Sequence, residues 1–411
     1  MKQENLKKNM LWNAAGNLIF LGCQWLITVL VTKLGNFTDA GLLSLAMSVS
    51  ATFQTVAMFG IRSFQISDID NKYSDTQYVG FRIISCAAAM VGCIVFSLVS
   101  GYLGGQLLAI FLFMLFRLSE NFSDVIHGIA QKNGRLDIAG KAYAIKGIGI
   151  LVVYLVTYLL TKNINLSIGA MALLSWAATI IYDIFTVKKL SKFHLFEKKL
   201  RWFPLAKETA PLCVYLFISA ALSTLPKLML EKKLGEDVLG IYSSVFAPAL
   251  IISAAAGYLY SPFVPTFAER YKEKSYKSFW KLFGGITLAI SVFGAVALVA
   301  AHFFGELALK LLFGDKILAY TYLLIPVLIA IFASAIFTFI ATLSVVIRDF
   351  LGLIVACGAA LLLEAVATGK WLTHSGINAT SYSYIAACVL AGVILFLRMI
   401  FVMYVKKKKG V

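Results

Sequence analysis

Charged residues are scarce in this sequence of 411 residues, and their scarcity limits its class. Only 14% of the residues are Asp, Glu, Lys or Arg, whereas 60% are hydrophobic. Soluble domains carry about a quarter of their residues as charged side chains, so an ordinary soluble protein is excluded. Long continuous apolar runs also exclude a transmembrane β-barrel, whose strands alternate in polarity. We therefore predict an all-α polytopic membrane protein.

Motifs for catalysis, metal binding and redox chemistry are missing as well. The six cysteines lie in apolar runs without CxxC spacing, which indicates neither a disulfide framework nor a metal site. They are Cys23, Cys86, Cys93, Cys213, Cys357 and Cys388. No HExxH, GxSxG or Walker motif is present, and no external loop is large enough to hold a catalytic domain. We therefore expect neither enzyme activity nor a cofactor.

Windows of about 20 apolar residues predict twelve membrane-spanning helices. They cover 10–32, 39–61, 79–101, 105–128, 142–161, 166–187, 209–230, 239–261, 281–303, 318–346, 350–369 and 381–405. The first is expected to be an uncleaved helix, because no small-residue cleavage site lies near its end. The tenth is too long for one straight crossing, so it either tilts or begins at the membrane interface.

Lysine and arginine are divided unequally between alternate loops. Twenty-six lie on one side, including the four of 132–146, and seven lie on the other. The remaining four of the 37, Arg82, Arg117, Lys227 and Arg398, lie within spans. Since cytoplasmic loops carry the excess of positive charge, both termini are predicted to be cytoplasmic, and Arg82 and Arg398 are expected to snorkel to that face. The net charge of +17 thus indicates membrane topology and not nucleic-acid binding.

The longest polar break, 188–208, follows six of the twelve predicted spans and is basic and aromatic. We therefore predict a six-helix lobe over 1–187, a cytoplasmic linker over 188–208 and a second six-helix lobe over 209–411. A short repeat supports two halves, because KLGNFTDAGLLSLAMS follows span one and KLGEDVLGIYSSVFAP follows span seven. Six spans per half make the repeat parallel, which predicts a substrate site between the halves.

The predicted fourth span carries one stripe of ionisable side chains. Arg117, Glu120, Asp124, His127 and Gln131 fall within about one quadrant of the helix. Ionisable groups at membrane depth face a bundle interior or a water-filled cavity, and they mark a pathway or binding site. The alternative is a buried ladder of structural ion pairs, since Arg117 and Glu120 are i,i+3 neighbours.

Four stretches give the sequence a resemblance to a known family. They are MFGIRSFQISDID, FRLSENFSDVIHGIAQKNGRLDIAG, LPKLMLEKKLGEDVLGIYSSVFAPA and LLFGDKILAYTYLLIP. Together with twelve spans in two halves, they resemble the polysaccharide-exporter branch of the multidrug/oligosaccharidyl-lipid/polysaccharide (MOP) flippase superfamily. Within that branch the sequence is most similar to the Wzx-type flippases of O-antigen and capsule repeat units.

The resemblance implies a fold, a location and a substrate. The fold would be two pseudo-symmetric six-helix bundles of the MATE type, in the bacterial cytoplasmic (inner) membrane. The substrate would be a polyprenyl-pyrophosphate-linked oligosaccharide, moved from the inner to the outer leaflet by alternating access. Its product would supply surface polysaccharide, which is O-antigen, capsule or exopolysaccharide.

Three cationic residues are candidates for binding the pyrophosphate and sugars of such a substrate. Arg117 lies at mid-depth in span four and offers a planar fork of hydrogen-bond donors. Lys227 lies in span seven beside Pro226. Arg62 ends span two, where a positive-inside anchor is the alternative role. On span one, Asn13 and Asn17 either line a cavity or form interhelical hydrogen bonds.

Several acidic and titratable residues are candidates for ion coupling or charge pairing. Glu120 and Asp124 lie below the arginine of span four and either bind a coupling H⁺ or Na⁺ or neutralise that arginine. His127 either titrates near neutral pH or is a plain interfacial residue. Asp183 in span six and Glu364 in span eleven are further candidates for buried charges.

Two other functions stay open on the sequence alone. A cation-coupled drug antiporter of the same superfamily is one, although the cationic cleft predicted here argues against it. An envelope glycan polymerase or ligase is the other, but it would need a large external catalytic loop. The partners expected for a flippase are its lipid-linked substrate, membrane lipids, a polysaccharide polymerase and a chain-length regulator.

Overall fold

The computed structural model of the chain describes residues 2–68, 72–195 and 202–409 and is helical almost throughout. None of these residues forms a β-strand. The predicted all-α class is therefore confirmed. The chain divides into two compact units, Met1–Phe217 and Ile218–Val411.

The first unit contains eight helices and the beginning of a ninth. They are α1 (Lys2–Leu34), α2 (Phe37–Met58), α3 (Ile61–Ser67), α4 (Asp75–Val99), α5 (Gly104–Lys132), α6 (Leu136–Thr161), α7 (Ile164–Ala178), α8 (Phe185–Lys188) and α9 (Trp202–Leu234). A π-helical turn, Thr179–Ile184, joins α7 to α8. The second unit contains the rest of α9 and the helices after it. They are α10 (Glu236–Tyr260), α11 (Val264–Lys272), α12 (Tyr276–Phe313), α13 (Leu324–Val346), α14 (Phe350–Ser375) and α15 (Ala379–Lys409).

The long helices of the described ranges lie where the sequence predicts spans. Ten helical segments are long and apolar enough to cross a membrane, and one of them, Phe350–Val405, includes both α14 and α15. Helix α5 is not among the ten, because charged and polar residues fill its second half. The predicted tenth span begins with a 3₁₀ segment, Asp315–Leu323, so only its later part is α-helical. The chain is thus a multi-pass helical membrane protein.

The repeated KLG motif forms a turn between two long helices in each unit. Gly35 lies between α1 and α2, and Gly235 lies between α9 and α10. Gly235 adopts a φ of 92°, which glycine accommodates without a Cβ clash. A Cβ at Gly35 would overlap the hydroxyl of Tyr158. The repeat seen in the sequence therefore corresponds to a repeated local structure.

Helix α1 is held against α6 by close approach of the two backbones. A Cβ at Gly16 would overlap the carbonyl group of Gly140, and one at Gly147 would lie 2.8 Å from the Cα of Phe20. Small residues at helix interfaces allow such packing in membranes. This contact fixes the position of α1 and of the polar side chains on it.

The boundary between the two units lies within α9, at Phe217 and Ile218. The linker predicted over 188–208 includes residues 196–201, which lie outside the described residues, and α9 begins inside it at Trp202. The lobes predicted over 1–187 and 209–411 stay a prediction.

Candidate functional site

The polar stripe of α5 is divided among three groups of partners, all in the first unit. Arg117 and Glu120 contact α1, Asp124 and Gln131 contact residues of α3 and α4, and His127 contacts the π-helical turn. We name these groups the Gln24, Asp124 and Asp183 clusters after one member of each. The sequence identifies the stripe, but it does not show that its members have different partners.

The Gln24 cluster joins α1 to the middle of α5. Arg117 Nη1 lies 2.6 Å from Glu120 Oε2, which is the predicted i,i+3 ion pair. Gln24 Nε2 donates to the other oxygen of Glu120 at 2.6 Å. The guanidinium also lies over the rings of Phe113 and Phe116, with its central carbon 5.2 and 5.7 Å from their centroids. The Nε–H group of Arg117 is buried and has no hydrogen-bond acceptor among the described residues.

The Asp124 cluster ties together α3, α4 and α5. Asp124 Oδ2 accepts from Arg82 Nη2 at 3.0 Å, and its Oδ1 accepts from Arg62 Nη1 at 3.0 Å. Arg82 Nη1 donates to the carbonyl of Ala57 at 2.5 Å, and Arg62 Nη2 donates to Gln131 at 2.8 Å. One carboxylate thus neutralises parts of two guanidinium groups.

The prediction that Arg82 snorkels to the membrane surface is wrong. Its side chain is fully buried, and its two terminal nitrogens donate to Asp124 and to the carbonyl of Ala57. The position near one end of α4 suggested a surface residue, but a carboxylate on a neighbouring helix lies closer than the solvent. Sequence alone cannot provide that partner, because it is 42 residues away in the chain.

Arg62 lies on the short helix α3 and not at the end of a span. Helix α2 ends at Met58, and the next two residues, Phe59 and Gly60, have φ values of 50° and 68°. Such left-handed conformations break a helix and are unusual for a bulky residue such as phenylalanine. The break turns α3 so that the guanidinium of Arg62 reaches α5. Its side chain is 22% exposed, so the group is accessible from one side.

The Asp183 cluster is a fully buried polar group between α5, α6 and the π-helical turn. Asp183 Oδ1 lies 3.1 Å from His127 Nε2, and Asp183 Oδ2 lies 2.8 Å from Lys146 Nζ. Lys146 Nζ also donates to Thr179 Oγ1 at 2.7 Å and to Ser123 Oγ. The interpretation of His127 as an interfacial residue is therefore wrong, since its side chain is inaccessible.

Lys146 is counted with the cytoplasmic loops in the sequence analysis, although the predicted span 142–161 includes it. In the structure it lies inside α6, which begins at Leu136, and its side chain is buried. Thr179 and Asp183, four residues apart in the π-helical turn, both contact its ammonium group. Such turns inside α-helices occur frequently at functional sites.

The two asparagines of α1 are not part of these clusters. Asn17 is exposed, Asn13 is partly exposed, and the structure records no hydrogen bond or ion pair for either side chain among the residues it describes. Their assignment to substrate binding stays a prediction.

In the second unit, Lys227 stands apart from any acidic partner. Its Nζ lies 4.1 Å from the ring centroid of Phe246, which is a cation–π contact. Phe246 is in turn stacked on Tyr242, with ring centroids 5.9 Å apart. No carboxylate of the described part of the chain pairs with Lys227.

Glu364 is fully buried, and like Lys227 it has no partner of opposite charge among the described residues. Neither carboxyl oxygen has a hydrogen bond within the described ranges. The sequence indicated a buried charge at this position, but the lack of a partner could be learned only from the tertiary structure.

Arg398 pairs with Asp349, the residue before α14, and its side chain is 37% exposed, so its snorkelling stays a prediction. Arg398 Nε and Nη2 each lie 2.8 Å from one oxygen of Asp349. This bidentate pair holds the pKa of Asp349 below its usual value, with a smaller contribution from the backbone N–H of Gly352. The contact joins α15 to the short connection between α13 and α14.

Solved structures that share this fold are transporters and flippases. An inward-facing multidrug resistance MATE family transporter of the MOP superfamily aligns with a TM-score of 0.68 at 13% identity, covering 95% of this chain and 96% of that chain. The lipid II flippase MurJ, in an inward closed conformation, aligns with a TM-score of 0.67 at 11% identity, covering 95% of this chain and 87% of that chain. The MATE transporter VcmN of Vibrio cholerae aligns with a TM-score of 0.62 at 10% identity, covering 98% of each. The chain therefore has the fold of these proteins, which confirms the fold that the resemblance implied.

The chain is also similar to a curated protein of capsular polysaccharide biosynthesis. The capsular polysaccharide biosynthesis protein CapF of Staphylococcus aureus is 27% identical over 318 residues, which cover 75% of this chain and 78% of CapF. No protein-family model matches the sequence.

The buried pair of Arg82 and Asp124 yields a stability prediction. Arg82→Met should lower the free energy of unfolding by about 3–5 kcal/mol, because it leaves the carboxylate with one cation and the Ala57 carbonyl without its donor. A double-mutant cycle with Asp124→Asn should give a coupling energy of about 0.5–3 kcal/mol. Thermal or denaturant unfolding of the purified protein in detergent measures both. Lys188→Met, which removes an exposed cation at the end of α8, is the control. Equal effects of Arg82→Met and Lys188→Met would show that Arg82 is a surface residue.

Proposed function

We propose that this chain is a flippase for polyprenyl-pyrophosphate-linked oligosaccharide repeat units. It moves them from the inner to the outer leaflet of the cytoplasmic membrane by alternating access, and the product supplies surface polysaccharide. The fold shared with MurJ and the likeness to CapF support this proposal. Polymerisation outside the membrane then requires a polysaccharide polymerase and a chain-length regulator as partners.

The observation that carries the proposal is the unpaired ammonium of Lys227. An ionised side chain within a membrane-spanning helix is costly unless it is paired, so such residues mark binding sites or pathways. An aromatic face compensates only part of that cost. An anionic ligand such as a diphosphate would supply the missing opposite charge, whereas a cationic drug would be repelled.

The chemistry of the substrate explains why cations are needed. A diphosphate and a chain of sugar hydroxyls cannot cross about 30 Å of hydrocarbon unaided, while the polyprenyl tail can remain in lipid. Arg117 and Arg62 can also bind phosphate or sugar oxygens, but each already contacts a carboxylate. Substrate would therefore compete with Glu120 and Asp124 for these two guanidinium groups, whereas Lys227 has no such competitor.

The contacts of the acidic side chains favour a different residue for ion coupling from those that the sequence suggests. Glu120, Asp124 and Asp183 each contact at least one cationic side chain, so they serve as counter-ions in this conformation. Glu364 has no cation and no hydrogen-bond donor in the described structure. A carboxylate there would be an uncompensated buried charge, whereas a protonated carboxyl is neutral. We propose that Glu364 carries a coupling proton.

The orientation in the membrane belongs to the same proposal. The excess of lysine and arginine in alternate loops favours a cytoplasmic position for both termini. Moving Lys146 from the loops into α6 lowers the count on that side by one, which leaves the asymmetry intact. The substrate would then enter from the side of the membrane on which it is synthesised.

The MATE transporters that share the fold make a cation-coupled drug antiporter the second candidate. A discriminating measurement is the loss of a fluorescent cationic dye from vesicles under a proton or sodium gradient. Gradient-dependent loss of the dye would favour the antiporter, and its absence together with transport of lipid-linked glycan would favour the flippase.

Replacement of Lys227 tests the substrate site. Lys227→Met should reduce surface polysaccharide strongly, because each lost charge-assisted hydrogen bond weakens binding by about 1.5–3 kcal/mol, on the order of 10- to 100-fold. Lys227→Arg, which keeps the charge, should retain part of the export. Lys207→Met removes an exposed lysine near the start of the same helix and should be neutral. Surface polysaccharide and membrane content of each variant are measured in a host that makes the polymer. Normal export by Lys227→Met would contradict a role in substrate binding.

The pair of Arg117 and Glu120 separates substrate binding from structural pairing. Arg117→Gln alone should abolish export, because it removes a donor fork and leaves Glu120 without its cation. In the double variant Arg117→Gln with Glu120→Gln, neither charge remains, so stability should recover while export stays low. Export and unfolding temperature are compared for both variants. Recovery of export in the double variant would mean that Arg117 serves only to neutralise Glu120.

Replacement of Glu364 tests the coupling proton. Glu364→Gln should insert and unfold like the parent protein, because a neutral amide replaces a neutral carboxyl of similar shape. Its export should fall and should no longer respond to a protonophore that collapses the proton gradient. Glu306→Gln, at an exposed position on α12, is the control. Full and protonophore-sensitive export by Glu364→Gln would exclude this residue as the coupling group.

A further inference from the structure

The ammonium group of Lys146 is surrounded by oxygen atoms in the manner of a bound cation. Asp183 Oδ2 and Thr179 Oγ1 lie 2.8 and 2.7 Å from Nζ, and Ser123 Oγ is its third partner. All of these side chains are buried. A carboxylate and two hydroxyl oxygens are ligands that suit hard cations such as alkali-metal ions. The set therefore has the composition of a monovalent-cation site, with an ammonium group at its centre.

The hydroxyl groups of this site are oriented by bonds that do not involve Lys146. Thr179 Oγ1 donates to the carbonyl of Ser175 at 2.8 Å, and Ser123 Oγ donates to the carbonyl of Ser119 at 2.9 Å. A hydroxyl has one proton and two acceptor lone pairs. The two hydroxyl oxygens also lie 3.0 Å from each other. When both protons are directed to the helix carbonyls, lone pairs of both oxygens are available to the central cation.

The carboxylate is held in a similar way. His127 Nε2 lies 3.1 Å from Asp183 Oδ1, which fixes one oxygen and leaves the other for the cation. Thr179 and Asp183, four residues apart in the π-helical turn, lie on the same side of it. The oxygen positions are thus set by α5 and the π-helical turn, whereas Lys146 enters from α6.

We propose that Asp183, Thr179 and Ser123 form a monovalent-cation site in the first unit, and that Lys146 occupies it as a tethered cation. The ammonium balances the single carboxylate, so the filled site is neutral at membrane depth. As long as Lys146 is in place, a free Na⁺ or NH₄⁺ has no position to bind. Removal of the lysine side chain leaves a negatively charged cavity that a free monovalent cation fills. This inference concerns the first unit alone and holds whatever the chain transports.

The test compares cations in thermal unfolding of the purified protein at constant ionic strength. The parent protein should unfold at the same temperature in sodium, ammonium and choline chloride, because its site is occupied. Lys146→Ala should unfold at a lower temperature in choline chloride and should regain stability in sodium or ammonium chloride, with an effect that saturates as the cation concentration rises. Choline is the reference because it is too large for the cavity.

Matched variants distinguish cation binding at this site from a general effect of salt on the unfolding temperature. Lys146→Met fills the space without a charge, so it should not respond to the choice of cation. Lys146→Ala with Asp183→Asn removes the anionic ligand and should also be unresponsive. Lys141→Ala, on the same helix but at a partly exposed position, should behave like the parent protein.

Three results would overturn the proposal. The first is an unfolding temperature of Lys146→Ala that is the same in all three salts, including failure to fold in each of them. The second is a cation response that persists after Asp183→Asn. The third is a sodium-specific or ammonium-specific stabilisation of the parent protein that Asp183→Asn removes, since the site would then be open with Lys146 present.

Discussion

Neutralisation of charge inside a membrane-spanning helix is the constraint on which the first unit depends. Helix α5 carries two acids, an arginine and a histidine between Arg117 and His127, and an unpaired ion at that depth is costly. Each of them has a partner, and the partners come from α1, α3, α4, α5 itself and the π-helical turn. The same contacts that remove the electrostatic cost therefore also determine which helices pack against α5. The buried ion-pair ladder and the functional stripe are two descriptions of one set of residues.

The second unit does not follow this pattern, and the difference supports the functional proposal. Lys227 contacts an aromatic face, and Glu364 has no polar partner in the described residues. An ammonium group and a carboxyl group of the second unit thus have no partner of opposite charge among the described residues. Binding of an anion to the ammonium group, or of a proton to the carboxylate, would remove the cost of the uncompensated charge. The ionisable residues of α5 are thus paired within the first unit, whereas Lys227 and Glu364 have no partner of opposite charge among the described residues of the second.

Hydropathy is a local property, and this is why the sequence predicted the spans and the fold class well. Polar partners are not local, so the site was predicted only in part. The stripe on α5 and the pair of Arg117 and Glu120 follow from helical periodicity within one segment. Lys146 was counted with the loop cations, although the apolar window 142–161 includes it, because its carboxylate partner Asp183 lies 37 residues away in the chain. Arg82 was placed at the surface because its carboxylate partner lies on another helix, and the π-helical turn beside Asp183 has no recognisable sequence signal.

The proposed function depends on whether the chain moves an anionic, lipid-linked glycan across a bilayer, and reconstitution tests this most directly. The purified protein is inserted into liposomes that carry polyprenyl-pyrophosphate-linked oligosaccharide, and a membrane-impermeant glycosidase is added outside. The account predicts that the protected inner-leaflet glycan becomes accessible to the enzyme in vesicles with the protein and stays protected in vesicles with Lys227→Met. Equal protection with and without the protein would contradict the account.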